Sequence, residues 1–421
     1  MTPQIGLLRE MYDAMLAAAD PMKVLPAHLP TPPKGRTVVI AIGKAAAAMA
    51  RAVEAHWNGP LGGVAVVPRG STLPLLMIQQ IEGSHPVPDE RSVAAGRAVM
   101  KAVSGLTEDD LVLALISGGG SALCALPAPG ITLREKQAIT QALLMRGATI
   151  QEINTVRKHL SGIKGGRLAL AAHPAKVVTL LISDIPGDDL GAIASAPTLA
   201  DETTCAQALA ILRRYEIEIR AETERALESG ELESPKPANA AFKRHQKTLI
   251  ACAQDGLEAA AETARARGWQ THILSDAMQG EARDLAQAHA ALALQVQRRQ
   301  QPFEPPCILL SGGEATVQVK GQGRGGRNTE FALALGLALD GRPGIHALTA
   351  GTDGLDGNGA AAGAWVTPST LAEAGLRGLE PLGHLLDNDS FSFFDALGTT
   401  LVTGPTHTNI NDFRAVLVES L

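Results

Sequence analysis

In two segments of the chain an apolar run stops at the tripeptide Ser-Gly-Gly, which predicts a strand that ends there. Residues 115–127 read LISGGGSALCALP, and residues 309–319 read LLSGGEATVQV. Glycine lets the backbone approach a bound anion with its N–H groups directed at it, and serine hydroxyls add further donors. A tight turn is the alternative for both segments, and Glu314 would repel an anion at the second unless a metal ion or an arginine lay between them. The pattern favours a phosphate or carboxylate cradle at the first segment and leaves both possibilities open at the second; the candidate binding residues are Ser117, Gly118, Gly119, Gly120, Ser121, Ser311, Gly312 and Gly313.

A lysine follows another apolar run. Gly43-Lys44 stands between the run 37–42 and an alanine-rich stretch, which predicts a turn from a strand into a helix. A cation is unfavourable beside the positive end of a helix dipole, and this favours phosphate binding by Lys44 over a solvated surface lysine. The chain contains no G-x-x-x-x-G-K-[ST] sequence, which excludes a Walker P-loop.

Carboxylates follow two more apolar runs. Asp184, Asp188 and Asp189 lie in LLISDIPGDDLG, and Asp353 and Asp356 lie in ALTAGTDGLDG. Carboxylates at strand ends beside a phosphate cradle can hold Mg²⁺ for phosphoryl transfer, whereas a single Asp-Gly usually marks only a turn. The candidate metal ligands are Asp184, Asp189 and Asp353.

The glycine-rich stretch VKGQGRGGRNTEFALAL, residues 319–335, contains G-x-G-x-x-G, the fingerprint of dinucleotide binding. The match is weak, because the preceding TVQVK alternates polar and apolar residues, unlike a strand buried on both faces. Arg324 and Arg327 interrupt the loop, and arginines suit a phosphoryl group held by paired hydrogen bonds. Arg324, Arg327 and the adjacent Asn328 are therefore candidate phosphate-binding residues.

The elements that must position these residues alternate between unbroken apolar strands and helices. This alternation predicts an α/β protein with Rossmann-like parallel or mixed sheets and helices on both faces. At 421 residues the chain is too long for one ordinary core. Residues 228–242 are charged and contain two prolines, so we place the boundary there and predict two α/β domains, 1–235 and 236–421.

Composition excludes several functional classes. The net charge is −6 and aromatic residues make up 3% of the chain, which argues against a nucleic-acid partner. No apolar run is long enough to span a membrane, and the first residues read as an amphipathic helix and not as a signal peptide. The four cysteines lie far apart, so we expect reduced thiols in a cytoplasmic protein and no structural zinc site. Monomer and homodimer both remain open.

Several segments in a fixed order carry a family resemblance. They are AIGKAA, GSHPVPDERS, LISGGGSAL, INTVRKHLSGIKGGRLA, ISDIPGDDLGAIASAPT, LSGGEATV, GRGGRNTEFAL, AGTDGLDG, NDSFSFF and TGPTHTNIND. Together they resemble the type-2 glycerate kinases, whose C-terminal part is called the MOFRL domain, over nearly the whole chain. The resemblance implies ATP-dependent phosphorylation of D-glycerate, at the 2-hydroxyl, with Mg²⁺. It also implies two α/β domains with the active site in the cleft between them.

The resemblance gives roles to individual residues. It implies that Lys44 and Arg327 are the catalytic cations, in agreement with the chemistry of their segments. For this reaction Asp189 is the candidate base, and Ser84 and His85 are candidate contacts of the acid. His407 is a departure, because the family pattern has glycine there.

Two other functions remain open from the sequence. Some members of the family carry the name hydroxypyruvate reductase, so an NAD(P)H-dependent reductase is the alternative enzyme. A protein that binds an organic acid without turnover is the third possibility.

Overall fold

The computed structural model describes residues 2–420, which form two compact units. The N-terminal unit contains residues 21–183 and 189–250, and the C-terminal unit contains residues 2–20, 184–188 and 251–420. These units differ from the two continuous domains predicted above, since the chain crosses between them more than once.

The secondary structure alternates as predicted. The strands are β1 (Thr37–Ile42), β2 (Leu61–Pro68), β3 (Ile78–Gly83), β4 (Leu111–Ile116), β5 (Lys176–Ile182), β6 (His245–Ala251), β7 (Gln270–Glu281), β8 (Cys307–Thr316), β9 (Ile345–Gly351), β10 (Gly363–Val366), β11 (Thr400–Leu401) and β12 (Asp412–Val418). The α-helices are α1 (Pro3–Ala18), α2 (Pro21–Val24), α3 (Ala46–His56), α4 (Glu90–Ala102), α5 (Gly120–Leu123), α6 (Leu133–Met145), α7 (Ile150–His159), α8 (Arg167–Ala172), α9 (Cys205–Arg214), α10 (Ala221–Glu228), α11 (Ala253–Arg265), α12 (Ala282–Arg299), α13 (Arg327–Leu339), α14 (Thr370–Leu376), α15 (Pro381–Leu386) and α16 (Ser390–Leu397). Short 3₁₀ helices cover Pro26–His28, Ile193–Ser195 and Ala240–Phe242.

The N-terminal unit is built on a six-stranded sheet in the order β3-β2-β1-β4-β5-β6. Strands β1 to β5 run parallel. Both β1 and β4 are buried along their whole length, as continuous apolar runs predict for strands covered on both faces. The strand order reverses between β1 and β4, and in such sheets ligands bind outside the carboxyl ends of the strands at that reversal.

The C-terminal unit has a mixed six-stranded sheet in the order β11-β10-β9-β12-β8-β7. Only β7 and β8 pair in parallel, whereas β12 pairs antiparallel with both β8 and β9. Helices α12 and α13 contribute to its apolar core together with residues of β8, β9 and β12. The prediction of two α/β assemblies with parallel or mixed sheets is confirmed.

Helix α1 belongs to the C-terminal unit, although it precedes every strand. Its apolar side includes Met11, Tyr12 and Met15, each fully buried. The hydroxyl of Tyr12 donates to the carbonyl of Gly351 at 2.9 Å, and its ring meets Phe413 edge-on. Burial of this amphipathic helix against α11, and also against β9 and β12, explains why residues 2–20 do not join the unit that follows them in sequence.

Strand β8 does not stop at the second Ser-Gly-Gly, which is a correction to the sequence analysis. The strand continues through Ser311, Gly312 and Gly313 to Thr316. A Cβ on Gly313, whose φ is +101°, would lie 2.2 Å from the carbonyl oxygen of Met278 in β7. Glycine is therefore required where β7 and β8 pair irregularly. The tripeptide is a local distortion within a strand here, and not a turn at its end.

The described cysteines are all buried and free, in accord with the prediction of unpaired thiols. Within residues 2–420, no helix is both long enough and apolar enough to cross a bilayer.

A buried carboxylate fixes the amino ends of β1 and β4. Asp110 accepts hydrogen bonds from the backbone N–H groups of Arg36, at 2.6 Å, and Thr107, at 2.7 Å. The Arg36 N–H, the largest cause, and the Thr107 donors outweigh burial and lower the pKa of Asp110 to about 2.

We expect Asp110→Asn to lower the free energy of unfolding by about 2 kcal/mol at pH 7, because the ionised carboxylate accepts these bonds better than an amide does. The folded pKa lies below the unfolded value, so this contribution is complete above about pH 4 and is lost as the pH falls toward about 2. Urea unfolding between pH 7 and pH 3 should show the difference shrink. Asp109→Asn, an exposed neighbour, is the control; a difference independent of pH would contradict the assignment.

Candidate active site

The turn that carries Lys44 is fixed by the end of β4. The N–H of Lys44 donates to the carbonyl of Gly118 at 2.8 Å, and the N–H of Ala45 donates to Ser117 Oγ at 3.0 Å. Gly43 has φ +130°, and a Cβ there would lie 2.3 Å from Ser117 Oγ, so only glycine fits. Ser117 is fully buried. Its hydroxyl therefore positions the lysine turn, which is a different role from the ligand contact predicted for it.

Three predicted residues come together above this turn. A Cβ placed on Gly119 would lie 3.2 Å from Lys44 Cγ and 3.3 Å from His85 Cδ2. Within the described chain, the backbone N–H groups of Gly119, Gly120 and Ser121 donate to no protein atom. The carboxyl ends of β1, β3 and β4 thus hold a lysine, a histidine and unbonded N–H groups at the point where the strand order reverses. This arrangement is suited to an anion.

Ser121 belongs to a hydrogen-bonded chain that the sequence analysis missed. Its Oγ lies 2.5 Å from Ser195 Oγ, and the Ser195 hydroxyl donates to Asn154 Oδ1 at 2.9 Å. Ser195 is fully buried, and Ala194, Ser195 and Ala196 have φ of 51°, 58° and 52°. Consecutive non-glycine residues in this region of φ are strained and need support from their surroundings. The only signal in the sequence was the segment IASAPT, which does not reveal its backbone conformation.

Ser84 lies just beyond β3 and takes part in the start of α4. Its N–H donates to Ser92 Oγ at 3.1 Å, and its hydroxyl is the largest of the groups that lower the pKa of Asp89, the residue that caps α4, to about 2. His85 is exposed beside it. Contact of either residue with a substrate stays a prediction.

Arg327 opens α13 in the C-terminal unit and is held by two carboxylates. Its Nε donates to Asp412 Oδ1 at 2.7 Å, and one terminal nitrogen lies 3.2 Å from Glu314 Oε1. Burial alone would lower the pKa of Arg327, but Asp412 and Glu314 outweigh it and raise that pKa above its usual value. Glu314 would by itself repel an anion, but it pairs with Arg327. An arginine beside Glu314 was one of the two conditions under which the sequence allowed an anion site there. The guanidinium is therefore always charged and fixed in orientation.

Asp412 is the centre of this network, and the sequence analysis missed it. It is fully buried and also accepts from Asn328 Nδ2 at 3.0 Å and from Arg414 at 2.6 Å. Burial raises the pKa of Asp412, but Arg327 and Arg414 outweigh it and hold that pKa below the ordinary value. Nothing in the local sequence pairs residue 412 with residue 327, so only the fold reveals this contact.

Asn328 and Arg324 have structural partners of their own. Asn328 is buried, and besides its bond to Asp412 it accepts from Thr349 Oγ1 at 2.8 Å. Arg324 is exposed and stacks on the ring of Phe391. The structure gives Asn328 a positioning role next to Arg327, whereas phosphate binding by Arg324 stays a prediction.

The G-x-G-x-x-G loop is saturated with internal hydrogen bonds. Every backbone N–H from Lys320 to Gly326 donates to a protein acceptor, and these acceptors lie in residues 387–389 and at Asn358 and Thr329. A Cβ on Gly321 would lie 2.1 Å from the carbonyl oxygen of Asp387, and one on Gly323 would lie 2.3 Å from Asp389 Cβ. The glycines thus serve close packing against the segment before α16. A dinucleotide pyrophosphate needs free N–H groups, which this loop does not offer.

The predicted metal ligands have different hydrogen-bond partners. Asp184 accepts from Asn409 Nδ2 at 3.0 Å within the C-terminal unit, and Asp353 accepts from the N–H of Leu355 at 3.1 Å. Asp189 is exposed and caps a turn through the N–H of Gly191. Asp356, by contrast, is buried and caps α13 through the N–H groups of residues 328 and 329.

The one group of three metal-ligating side chains among residues 2–420 is formed by His159, Cys205 and Glu233. None of the predicted aspartates belongs to it. Lys236 lies 2.5 Å from Glu233 Oε1 and supplies the positive charge there.

His407 has φ +59°. Glycine adopts this conformation without strain, which gives a physical reason for the glycine that the family pattern has at this position.

Two family descriptions match the chain. Residues 7–228 match a domain of unknown function, DUF4147, and residues 307–412 match the MOFRL family.

Individual proteins extend the similarity over nearly the whole chain. A protein of Agrobacterium vitis with the name "Putative hydroxypyruvate reductase" is 49% identical over 98% of this chain and 94% of its own length. The D-glycerate 2-kinase of Thermotoga maritima is 40% identical over 97% of both chains. The crystal structure of a glycerate kinase from Thermotoga maritima matches with a TM-score of 0.88 and 38% identity, covering 98% of this chain and 99% of the other.

Proposed function

The chain belongs to the type-2 glycerate kinase family, and we propose that it transfers a phosphoryl group from ATP to D-glycerate, at the 2-hydroxyl. The observation that carries the proposal is the arrangement at the reversal of strand order in the N-terminal unit. Lys44 and His85 lie close to Gly119 there, and the backbone N–H groups of residues 119–121 donate to no described protein atom. The alternative, an NAD(P)H-dependent hydroxypyruvate reductase, has no support in the G-x-G-x-x-G loop, because its N–H groups are already bonded.

We assign Lys44 and Arg327 to the phosphoryl oxygens. Phosphoryl transfer has a loose transition state, so positioning and neutralisation of charge contribute more than a strong base. Lys44 carries a compact charge on a turn that is fixed by β4, whereas Arg327 is a planar donor held by Asp412 and Glu314. Asp189, which is exposed, is the candidate to accept the proton of the attacking hydroxyl.

ATP and Mg²⁺ are the proposed cofactors. Mg²⁺ usually keeps several waters and takes one or two carboxylates together with substrate phosphates, so it does not need a preformed cage of protein ligands. Mg²⁺ prefers oxygen ligands, and the carboxylates of Asp184, Asp189 and Asp353 are ligands of this kind. Held by these carboxylates, the ion would supply positive charge that offsets the charge of the transferred phosphoryl group.

We also propose a cytoplasmic location, since the buried cysteines are all free thiols, as is usual in a reducing compartment. A small organic acid is the expected partner, and both a monomer and a homodimer are compatible with this function.

One assay tests the reaction class. ADP should form only when D-glycerate, ATP and Mg²⁺ are all present, and EDTA should abolish its formation because the phosphate charge is then no longer offset by the metal ion. A parallel reaction with NADPH and hydroxypyruvate should show no oxidation of NADPH. Oxidation there, without ADP formation in the first assay, would establish the reductase instead.

A further inference from the structure

Three neighbouring cations of the N-terminal unit are largely buried and form no ion pair with a carboxylate among its described residues. They are Lys136, Arg157 and Lys164. Lys136 Nζ donates to the carbonyls of Arg157 and Leu160, each at 3.1 Å, and Lys164 Nζ donates to the carbonyl of Cys124 at 3.1 Å. The guanidinium of Arg157 makes no hydrogen bond or ion pair to the described protein.

Neighbouring cations differ from this cluster. Lys158 Nζ lies 3.3 Å from Asp201 Oδ1. The negative charges of Asp201 and Glu233 partly offset the lowering of the Arg167 pKa by burial. The excess of positive charge in this region is therefore confined to the cluster of Lys136, Arg157 and Lys164.

Burial makes the excess costly. Lys136 and Lys164 are 4% and 2% exposed. Burial, and then repulsion from Lys164, Arg157 and Arg167, lowers the pKa of Lys136, and burial lowers that of Lys164 to about 8. Burial also lowers the pKa of Arg157. A bound anion would remove this penalty, since a buried charge is tolerated when it is paired.

Hydrogen bonds connect the elements that carry the cluster to α5, the helix that follows Gly119. Asn154 and Arg157 are one turn apart on α7 and so share a face of that helix. Asn154 accepts from Ser195, which contacts Ser121 in α5, and Lys164 donates to the carbonyl of Cys124, the residue directly after α5. The 3₁₀ helix Ile193–Ser195 contacts both α5 and α7. Glycine is required at position 120, because a Cβ there would lie 2.7 Å from Ala194 Cβ.

The direction of the hydrogen bonds decides whether Ser121 can donate to a ligand or only accept from it. The single proton of the Ser195 hydroxyl is donated to Asn154 Oδ1. In the contact between Ser121 and Ser195, the donor must then be Ser121. Its Oγ keeps only lone pairs for a ligand. Such an oxygen accepts from a substrate hydroxyl and gains nothing from a phosphate, which has no proton to donate.

We propose that Arg157 binds the carboxylate of the substrate acid and that Ser121 Oγ accepts a hydrogen bond from a hydroxyl of the same molecule. Lys136 and Lys164 contribute positive charge close to Arg157. A guanidinium matches a carboxylate through two parallel hydrogen bonds, and a carboxylate beside a hydroxyl is the chemistry of a 2-hydroxy acid. The identification of the acid as D-glycerate rests on the function proposed above.

The test compares Arg157→Met with Arg225→Met, an exposed arginine of the same unit whose partner is Glu222 at 3.4 Å. In the kinase assay, Arg157→Met should raise the KM for D-glycerate about 10- to 100-fold and leave the KM for ATP unchanged, because the lost bond is charged and belongs to the acid. Arg225→Met should match the wild type. Arg157→Lys, which keeps the charge and volume, should give a smaller increase. A raised KM for ATP alone would place a nucleotide phosphate at Arg157, and unchanged KM values would leave it a structural cation; either result overturns the proposal.

Calorimetric titration with D-glycerate, without nucleotide, separates this proposal from the kinase function. If the wild type binds D-glycerate, Arg157→Met binds it more weakly and no ADP forms with ATP, then the carboxylate site stands and the kinase proposal fails. If ADP forms normally but Arg157→Met binds and turns over D-glycerate like the wild type, the kinase stands and the site proposal fails. Absence of both binding and turnover in the wild type overturns both.

Discussion

Lys44→Ala should lower kcat by about a hundredfold or more while the protein stays folded. The loss is the size expected when one preorganised charge is removed from a developing negative charge. The fold should survive because the turn is held by the backbone N–H groups of residues 44 and 45, which alanine retains. Steady-state kinetics with D-glycerate and ATP measure the effect, and circular dichroism checks the fold.

Lys101→Ala is the matched control for this experiment. Lys101 is exposed on α4 of the same unit, so its loss should leave kcat unchanged. A folded Lys44→Ala protein with the wild-type kcat would show that Lys44 is a solvated residue and would remove the main cation from the proposed mechanism.

Arg327→Lys should lower kcat strongly, with little change in the KM for ATP. Lysine retains the charge but not the planar fork, and it cannot keep the contact of Nε with Asp412 and that of a terminal nitrogen with Glu314 at once. The contact with the phosphoryl group strengthens in the transition state, so its loss reduces kcat and not ground-state binding. Separate determination of kcat and KM is therefore the essential measurement.

Arg324→Lys is the comparison in the same loop, because Arg324 is exposed and lysine keeps the charge that its predicted contact with a phosphate requires. It should have a mild effect. Equal effects of the two substitutions, or a near-wild-type kcat for Arg327→Lys, would remove Arg327 from the catalytic residues. The opposite pattern, a mild Arg327→Lys and a higher KM for the nucleotide in Arg324→Lys, would assign nucleotide binding to the exposed arginine.

The arrangement of the candidate site in the N-terminal unit was largely predictable, since it is built from strand ends. A parallel strand buried on both faces is visible as an unbroken apolar run, and glycine or lysine directly after the run must lie at the carboxyl edge of the sheet. Lys44, Gly119 and His85 meet there as expected. The role of Ser117 in holding the lysine turn was not predictable, because it depends on the register between β1 and β4.

The same argument failed for the second Ser-Gly-Gly because the sheet of the C-terminal unit is mixed. Gly313 lies inside β8 at an irregular pairing with β7, and a sequence does not distinguish a glycine that allows a close approach of strands from one that ends a strand. Asp412 was missed for a related reason. Its partner Arg327 is 85 residues away, and the two meet only because β12 pairs between β8 and β9.

The order of strands in the C-terminal unit also sets the order in which the nascent chain can fold. β12 lies inside the sheet, yet it follows every other strand of that sheet along the chain. Helix α1 is synthesised before any strand, but the carbonyl that accepts from Tyr12 lies 339 residues later. The strands of the N-terminal unit are all synthesised by residue 251 and can pair while the rest is still being made. The apolar face of α1 therefore stays without its partners until residues beyond 250 have been synthesised, and in this period it is an exposed apolar surface on the nascent chain.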